Sequence, residues 1–249
     1  ISKNHNIVKT VHMETEWDQN DPVGETKWLH KLFDETGFPN AIVGQAWFNR
    51  SDIDQVLHGH KQFPLIRSIR HKPKTSSSPD SKNISIKGTL SDPLFRQGYS
   101  LLKKYKLHYD LQIPWWHLDE ATKLAMDFPD TLIILNHTGL PSDRSKNGLN
   151  KWKNNLEQFA EQPNTTLKIS GICVPNQKWT INLNKQIILD AINIFGYNRC
   201  MFASNFPVDG VLATFDEIYN GFKEITLGMK EDQIKCLFHD NAIKYYNPA

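Results

Sequence analysis

The sequence predicts an α/β protein, a (β/α)8 TIM barrel that lacks its first strand, and three observations carry that prediction. Short apolar or β-branched runs alternate with amphipathic helical stretches along the chain, an order that sets parallel strands side by side through right-handed crossovers. Connections from helix to strand are short (63–64, 106, 129–130, 163–164, 197–198), whereas those from strand to helix are long and polar. One-sided loop growth of this kind marks a barrel of roughly 250 residues whose working face lies at the strand carboxyl ends. Finally, no glycine-rich phosphate fingerprint follows the first predicted strand, which weighs against an open dinucleotide-binding sheet.

The first strand is expected at 7–14, where β-branched residues alternate, and a polar loop with Glu16, Trp17 and Asp18 follows. A helix over 24–36 puts Trp28, Leu29, Leu32 and Phe33 on one face and stops at Gly37 and Pro39. The next strand is 41–47; Ser51 and Asp54 then offer a capping-box pattern for a helix with Ile53, Val56, Leu57 and His60 in register. A third strand, 65–71, leads into the longest irregular stretch, 72–90, rich in serine, proline and lysine. The strand–helix rhythm resumes beyond it, so 72–90 reads as a surface loop and not as a domain linker. Ser91 precedes a helix with Leu94, Gly98, Leu101, Leu102 and Tyr105 on one face, and the strand 107–113 follows, ended by Pro114. The helix 117–128 buries Leu118, Ala121, Leu124 and Ala125. The fifth strand, 131–137, has the fully apolar centre Leu132 to Leu135 expected of a parallel strand covered on both faces. After it come a helix carrying Trp152, Leu156 and Phe159, a strand at 165–171, a helix over 183–195, and a strand at 199–204. A helix with Phe215, Ile218 and Phe222 and two short helical pieces close the chain. That makes seven units in one domain, 1–249, one short of a full barrel.

Bulk properties narrow the function. A formal net charge of +2 and 22% charged residues give no electrostatic case for nucleic acid or an anionic membrane. No apolar run approaches the ~20 residues that span a bilayer. Three scattered cysteines suit reduced thiols in a cytoplasmic protein better than a disulfide framework, and no CxxC pair suggests zinc. The expected partner is a small-molecule substrate, with the oligomeric state left open.

Chemistry is expected where the strands end. Glu14 and Glu16, Gln45 and Trp47, Arg70 and His71, Asp110 and Gln112, His137, Lys168 and Ser170, and Asn205 with Asp209 would converge on one mouth. A histidine at the end of a buried strand with a Gly-Leu-Pro turn behind it is where parallel α/β folds place reactive groups. An arginine fork such as that of Arg70 suits a carboxylate. Asp110 and Gln112 equally suit cross-linking between barrel layers, while His30, His58, His60 and His239, on helices, are expected to be solvated.

The segments IRHKP (69–73), LNHTGLPSDRS (135–145), LKISGI (167–172) and MFASNFPVD (201–209), together with VHMETEWD near the start and NAIKYYNP at the end, resemble the amidohydrolase-related family. This is the branch of metal-dependent-hydrolase-like TIM barrels that holds sugar-acid lactonases and 2-pyrone-4,6-dicarboxylate lactonase. The resemblance implies hydrolysis of a lactone or related cyclic ester by water. It implies that His137 polarises the substrate carbonyl or binds a metal, and that a basic side chain at the mouth such as Arg70 holds a substrate carboxylate; His71, Lys168 and Trp47 are further expected substrate contacts. Members differ in metal use, so at most one divalent, zinc-type ion is implied, with His137 its one candidate ligand. Two departures stand out. The family opens with a His-x-His pair on its first strand, which this chain lacks; the chain therefore reads as N-terminally incomplete. Asn205 stands where the family often has a water-activating aspartate. A neutral amide accepts no proton near pH 7, so Asn205 would orient water or substrate while Glu14, Asp209 or His137 acts as base. The alternatives are a metal-dependent decarboxylase of the same superfamily and a non-catalytic, decayed barrel.

Overall fold

A computed structural model describes residues 4–249. Seven strands form one parallel sheet in strict sequence order: β1 Val11–Met13, β2 Ala41–Gln45, β3 Ile66–Arg70, β4 His108–Leu111, β5 Ile133–Leu135, β6 Thr165–Ile169 and β7 Cys200–Phe202. Between and after them run α1 Gly24–Thr36, α2 Ile53–Lys61, α3 Pro93–Ser100, α4 Leu102–Tyr105, α5 Leu118–Asp127, α6 Lys146–Ala160, α7 Ile181–Phe195, α8 Phe215–Ile225, α9 Glu231–Lys235 and α10 Asn241–Tyr246. The element order is the one the alternation predicts. Among the described residues no eighth strand is present, and β1 and β7 each pair on one side only.

The sheet is curled. Along β2, β5 and β7 alternate side chains divide between two apolar clusters, as the two-residue period requires. Ile42, Ile69, Tyr109, Leu111, Ile133, Leu135, Leu167, Ile169 and Phe202 face the helices. Val11, Met13, Ala41, Val43, Ile134 and Met201 meet one another inside, bringing β1, β2, β5 and β7 into one cluster. Residues from opposite ends of the sheet touch only when it wraps around a lumen, so the fold is TIM-barrel-like. The chain's C-terminus closes the floor. Asn247 O accepts from Arg67 (3.0 and 2.9 Å), Pro248 O accepts from Lys9 (2.8 Å), and Tyr246 packs with the lumen cluster.

Local chemistry sets the helix ends. Thr214 and Glu217 form a reciprocal capping box on α8, Ser145 caps α6, and Gly37, at φ 77°, ends α1. The capping box expected at Ser51 and Asp54 does not form. Asp52 is the N-cap of α2, without a side-chain cap bond, and its carboxylate pairs with Arg50. Asp92 caps α3, with Pro93 as the first helical residue. Residues 72–90 are a loop as expected, tied down where Ser76 N–H donates to His117 Nε2 (2.9 Å) and Lys82 meets Asp119. His60 is a correction: it is fully buried on the α2 face it shares with Ile53, Val56 and Leu57. Its ring bonds to Thr26 Oγ1 and Gln45 O, both at 2.9 Å. Among the described residues no helix is long and apolar enough to cross a membrane.

Candidate active site at the strand carboxyl ends

The lumen supplies the floor of the site. Lys168, on β6, places Nζ 2.6 Å from Asp110 Oδ1, on β4, and both side chains are buried. Asn136 Nδ2 (2.9 Å) and the Tyr246 hydroxyl (2.8 Å) donate to the same oxygen, and the ammonium lies 5.2 Å from the centroid of the Tyr246 ring. Burial pushes the Asp110 carboxyl up, but the Lys168 ammonium and these hydrogen bonds outweigh it and hold the group below its ordinary range. Lys168 also contacts Met13 Sδ at 3.0 Å, spanning β6 to β1. Its charge is thus used inside the chain, as a strut between barrel layers.

Above this floor three adjacent strand ends turn sharply. His137 follows β5 at φ 53°, Gly171 follows β6 at φ 57°, and Asn205 follows β7 at φ 52°. Left-handed backbone at a histidine is uncommon and costs on the order of 1–3 kcal/mol, so it persists only where surroundings enforce it. Here Thr138 (φ 56°) hands its carbonyl to Trp152 Nε1 at 2.8 Å, and His137 Nδ1 meets Ser170 Oγ at 3.1 Å. A Cβ at position 171 would sit 2.5 Å from His137 Nδ1, so the imidazole lies against a bare backbone that only glycine provides. His137 Nε2 has no hydrogen-bond partner among the described residues and is not fully buried. Burial, then the cations Lys168, Arg70 and Lys72, push the imidazole down to about 3, so it is neutral at physiological pH.

Arg70 and Glu14 come together. Arg70 Nε donates to Glu14 Oε1 and its Nη2 to Glu14 O at 2.6 Å, and Glu14 Oε2 accepts from Glu16 N at 2.8 Å. The Glu14 carboxylate is therefore occupied, while Arg70 Nη1 has no partner among the described residues. His71 is not brought to the mouth. As the residue after inward-facing Arg70 it points outward, stacks on Phe95 at 4.9 Å, and accepts from Phe48 N at 3.1 Å. Burial pushes His71 down to about 4, consistent with a packed neutral ring. Trp47 is half-buried in the turn after β2, next to Phe48. Gln45, paired in register with Arg70, has a buried Oε1 with no hydrogen-bond partner among the described residues.

Asn205 Nδ2 donates to Asp209 Oδ1 at 2.7 Å, and Asp209 N–H returns a bond to Asn205 O at 3.0 Å. A separate cavity of about 280 Å³ lies between β1 and α1, beside His12, Trp28 and Phe38, away from the strand ends. Tyr246 as a lumen residue escaped sequence reasoning, since a terminal tyrosine carries no periodic signal.

A curled parallel sheet with a polar mouth at its strand carboxyl ends fixes the architecture, and the sequence match fixes the lineage. The model of the family described as amidohydrolase matches residues 11–247. The chain belongs to the amidohydrolase family. The uncharacterized protein y4mH of Sinorhizobium fredii is 40% identical over 245 residues, 98% of this chain and 82% of that one. The L-fucono-1,5-lactonase of Burkholderia multivorans is 24% identical over 205 residues, covering 78% of this chain and 66% of that enzyme. Among solved structures, an amidohydrolase from Burkholderia multivorans with bound zinc superimposes with a TM-score of 0.82 at 18% identity, over 97% of this chain and 84% of that one.

Amidohydrolases typically bind a divalent metal, so this chain's donor set must be tested against one. Among the described residues no three His, Cys, Asp or Glu side chains converge. His137 has no second ligand beside it, Asp110 is spent on Lys168, and Glu14 is spent on Arg70. The charges that act on His137 are chiefly cationic, a field that disfavours a dication. The described residues do not fit a divalent metal, and His137 has no supporting geometry as its ligand.

Proposed function

We propose that this amidohydrolase opens a lactone or related cyclic ester of a sugar acid, with water as the nucleophile. The observation that carries the reading is His137: a neutral imidazole at a strained strand end, its Nε2 unpartnered, inside a ring of lysine and arginine charge. With Ser170 Oγ–H donating to Nδ1, the proton resides on Nε2 and is available to a substrate carbonyl oxygen. Water addition makes that oxygen an oxyanion. The fields of Arg70, Lys72 and Lys168 then favour the transition state over the neutral ground state, which is the condition for a faster chemical step. Ring opening leaves a carboxylate, which Arg70 Nη1 would meet. Gln45 Oε1 supplies a buried acceptor for a substrate hydroxyl, an atom otherwise costly to leave unpaired. The likeness to L-fucono-1,5-lactonase supports the substrate class.

The test is acid release from a panel of five- and six-membered aldonolactones at neutral pH, with His137→Ala alongside the unsubstituted protein. The variant is expected to lose on the order of a hundredfold or more in kcat/KM, the scale of removing an oxyanion donor. An unchanged kcat/KM would reject the role of His137. Carbon dioxide release from an aromatic acid, without lactone turnover, would assign the chain to decarboxylation instead.

A further inference from the structure

The hydrolytic reading needs a group that takes a proton from water, and the turn after β7 holds one in an unusual setting. Val208 and Val211 in that turn are 68% and 86% exposed, whereas Asp209 between them is 7% exposed. Two apolar side chains face solvent so that a carboxylate can face inward, the reverse of what solvation alone would choose. That carboxylate pairs with no cation among the described residues. Its neighbours are donors without charge: the Asn205 amide at 2.7 Å from the end of β7, and the Gly171 N–H and Cys173 thiol from the segment after β6. Burial, then Asp209 itself, pushes the Cys173 thiol up to about 12, so it stays protonated. The charged group beyond it is Arg144, from the loop between β5 and α6, whose Nη2 donates to Ile172 O at 2.7 Å.

Gly171 joins this carboxylate to the rest of the mouth. Its backbone is among the groups that lower the Asp209 carboxyl against burial, and the His137 ring lies where its Cβ would be. The acid and the imidazole thus flank one glycine.

We propose that Asp209 is the general base that deprotonates the attacking water, and that Asn205 is a positioning residue whose amide aims that carboxylate. The inference rests on the lactone-hydrolase reading. Glu14 is spoken for by Arg70, and an imidazole at about 3 is too weak a base. Asp209 is held above its ordinary value, chiefly by burial, with Asn205, Cys173 and Gly171 pulling the other way, a setting that favours proton transfer over permanent ionisation. In the step itself, Asp209 takes one proton from water while the water oxygen bonds to the lactone carbonyl carbon. The tetrahedral oxyanion then re-forms its C=O bond and breaks the ring C–O bond. The same proton passes from Asp209 to the departing ring oxygen, giving the open hydroxy acid with every atom accounted for.

The experiment compares pH profiles of lactone hydrolysis with hydroxylaminolysis of the same lactone, in unsubstituted protein, Asp209→Asn and Asn205→Ala. Hydroxylamine attacks at neutral pH without a base. Asp209→Asn is expected to lose about 10²- to 10⁴-fold in hydrolytic kcat, with the acidic limb of its profile gone and hydroxylaminolysis retained. Asn205→Ala removes a donor that lowers the Asp209 pKa, so its acidic limb moves to higher pH. An Asp209→Asn variant that keeps the limb, or loses both reactions equally, overturns the assignment. If the unsubstituted protein turns over no lactone, the hydrolase reading itself has failed and takes the base with it. The two failures are thereby told apart.

Discussion

Asp110 and Lys168 show how one residue pair at the lumen serves the fold and the site together. The carboxylate oxygen that accepts from Lys168 also accepts from Asn136 and Tyr246, so four elements of the chain depend on one atom. Lys168→Met would leave a buried carboxylate without its cation, and the expected loss is about 3–5 kcal/mol of unfolding free energy. Urea denaturation checks it. The double variant Asp110→Asn with Lys168→Met should recover part of that loss, and a single variant as stable as the parent would contradict the strut. At this scale the sequence marks which residue types stand at strand ends, but not how they pair. Glu14 and Arg70 meet across 56 positions of chain, and no local pattern encodes that distance. The burial of His60 escapes the sequence for a related reason. Its place on the apolar face of α2 is visible in the sequence, but Thr26 Oγ1 and Gln45 O, which satisfy its ring, are contributed by α1 and β2.

The elements themselves are more legible, because strand and helix periods are local. Each of the seven strands forms within the run that predicts it, and the loop 72–90 lies between β3 and α3. The close approach of elements is less so. Gly98 in α3 lies so near the turn after β2 that a Cβ there would be 1.9 Å from Phe48 O. Phe48 in turn packs edge-on to His71, Phe95, Tyr99 and Tyr109, so α3 cannot withdraw without disturbing that cluster. Gly98→Ala is expected to cost about 1–3 kcal/mol by overpacking, read as a lower urea midpoint; an unchanged midpoint would show that α3 can shift freely. Gly171→Ala meets His137 instead, and at φ 57° it also strains the backbone. Its effect belongs in turnover more than in stability.

For the molecule as a whole, burial of neutral histidines links stability to pH. His60 and His71 are each pushed down to about 4 and His137 to about 3, in all three cases chiefly by burial, from an ordinary value of 6.5. Between those values and 6.5 the unfolded chain binds more protons than the folded one, so stability falls as pH drops through that window. The urea midpoint should therefore decline from pH 6.5 towards pH 4, and a flat profile would contradict the buried neutral assignment.

The central claim is that water attacks a lactone carbonyl held against His137, and oxygen isotope labelling tests it most directly. Hydrolysis of a reactive aldonolactone in ¹⁸O-water should place a single labelled oxygen in the product carboxylate, with none in the released hydroxyl, and the reaction should be lost in His137→Ala. Label in the hydroxyl, or carboxylate labelling undiminished in His137→Ala, would contradict the account.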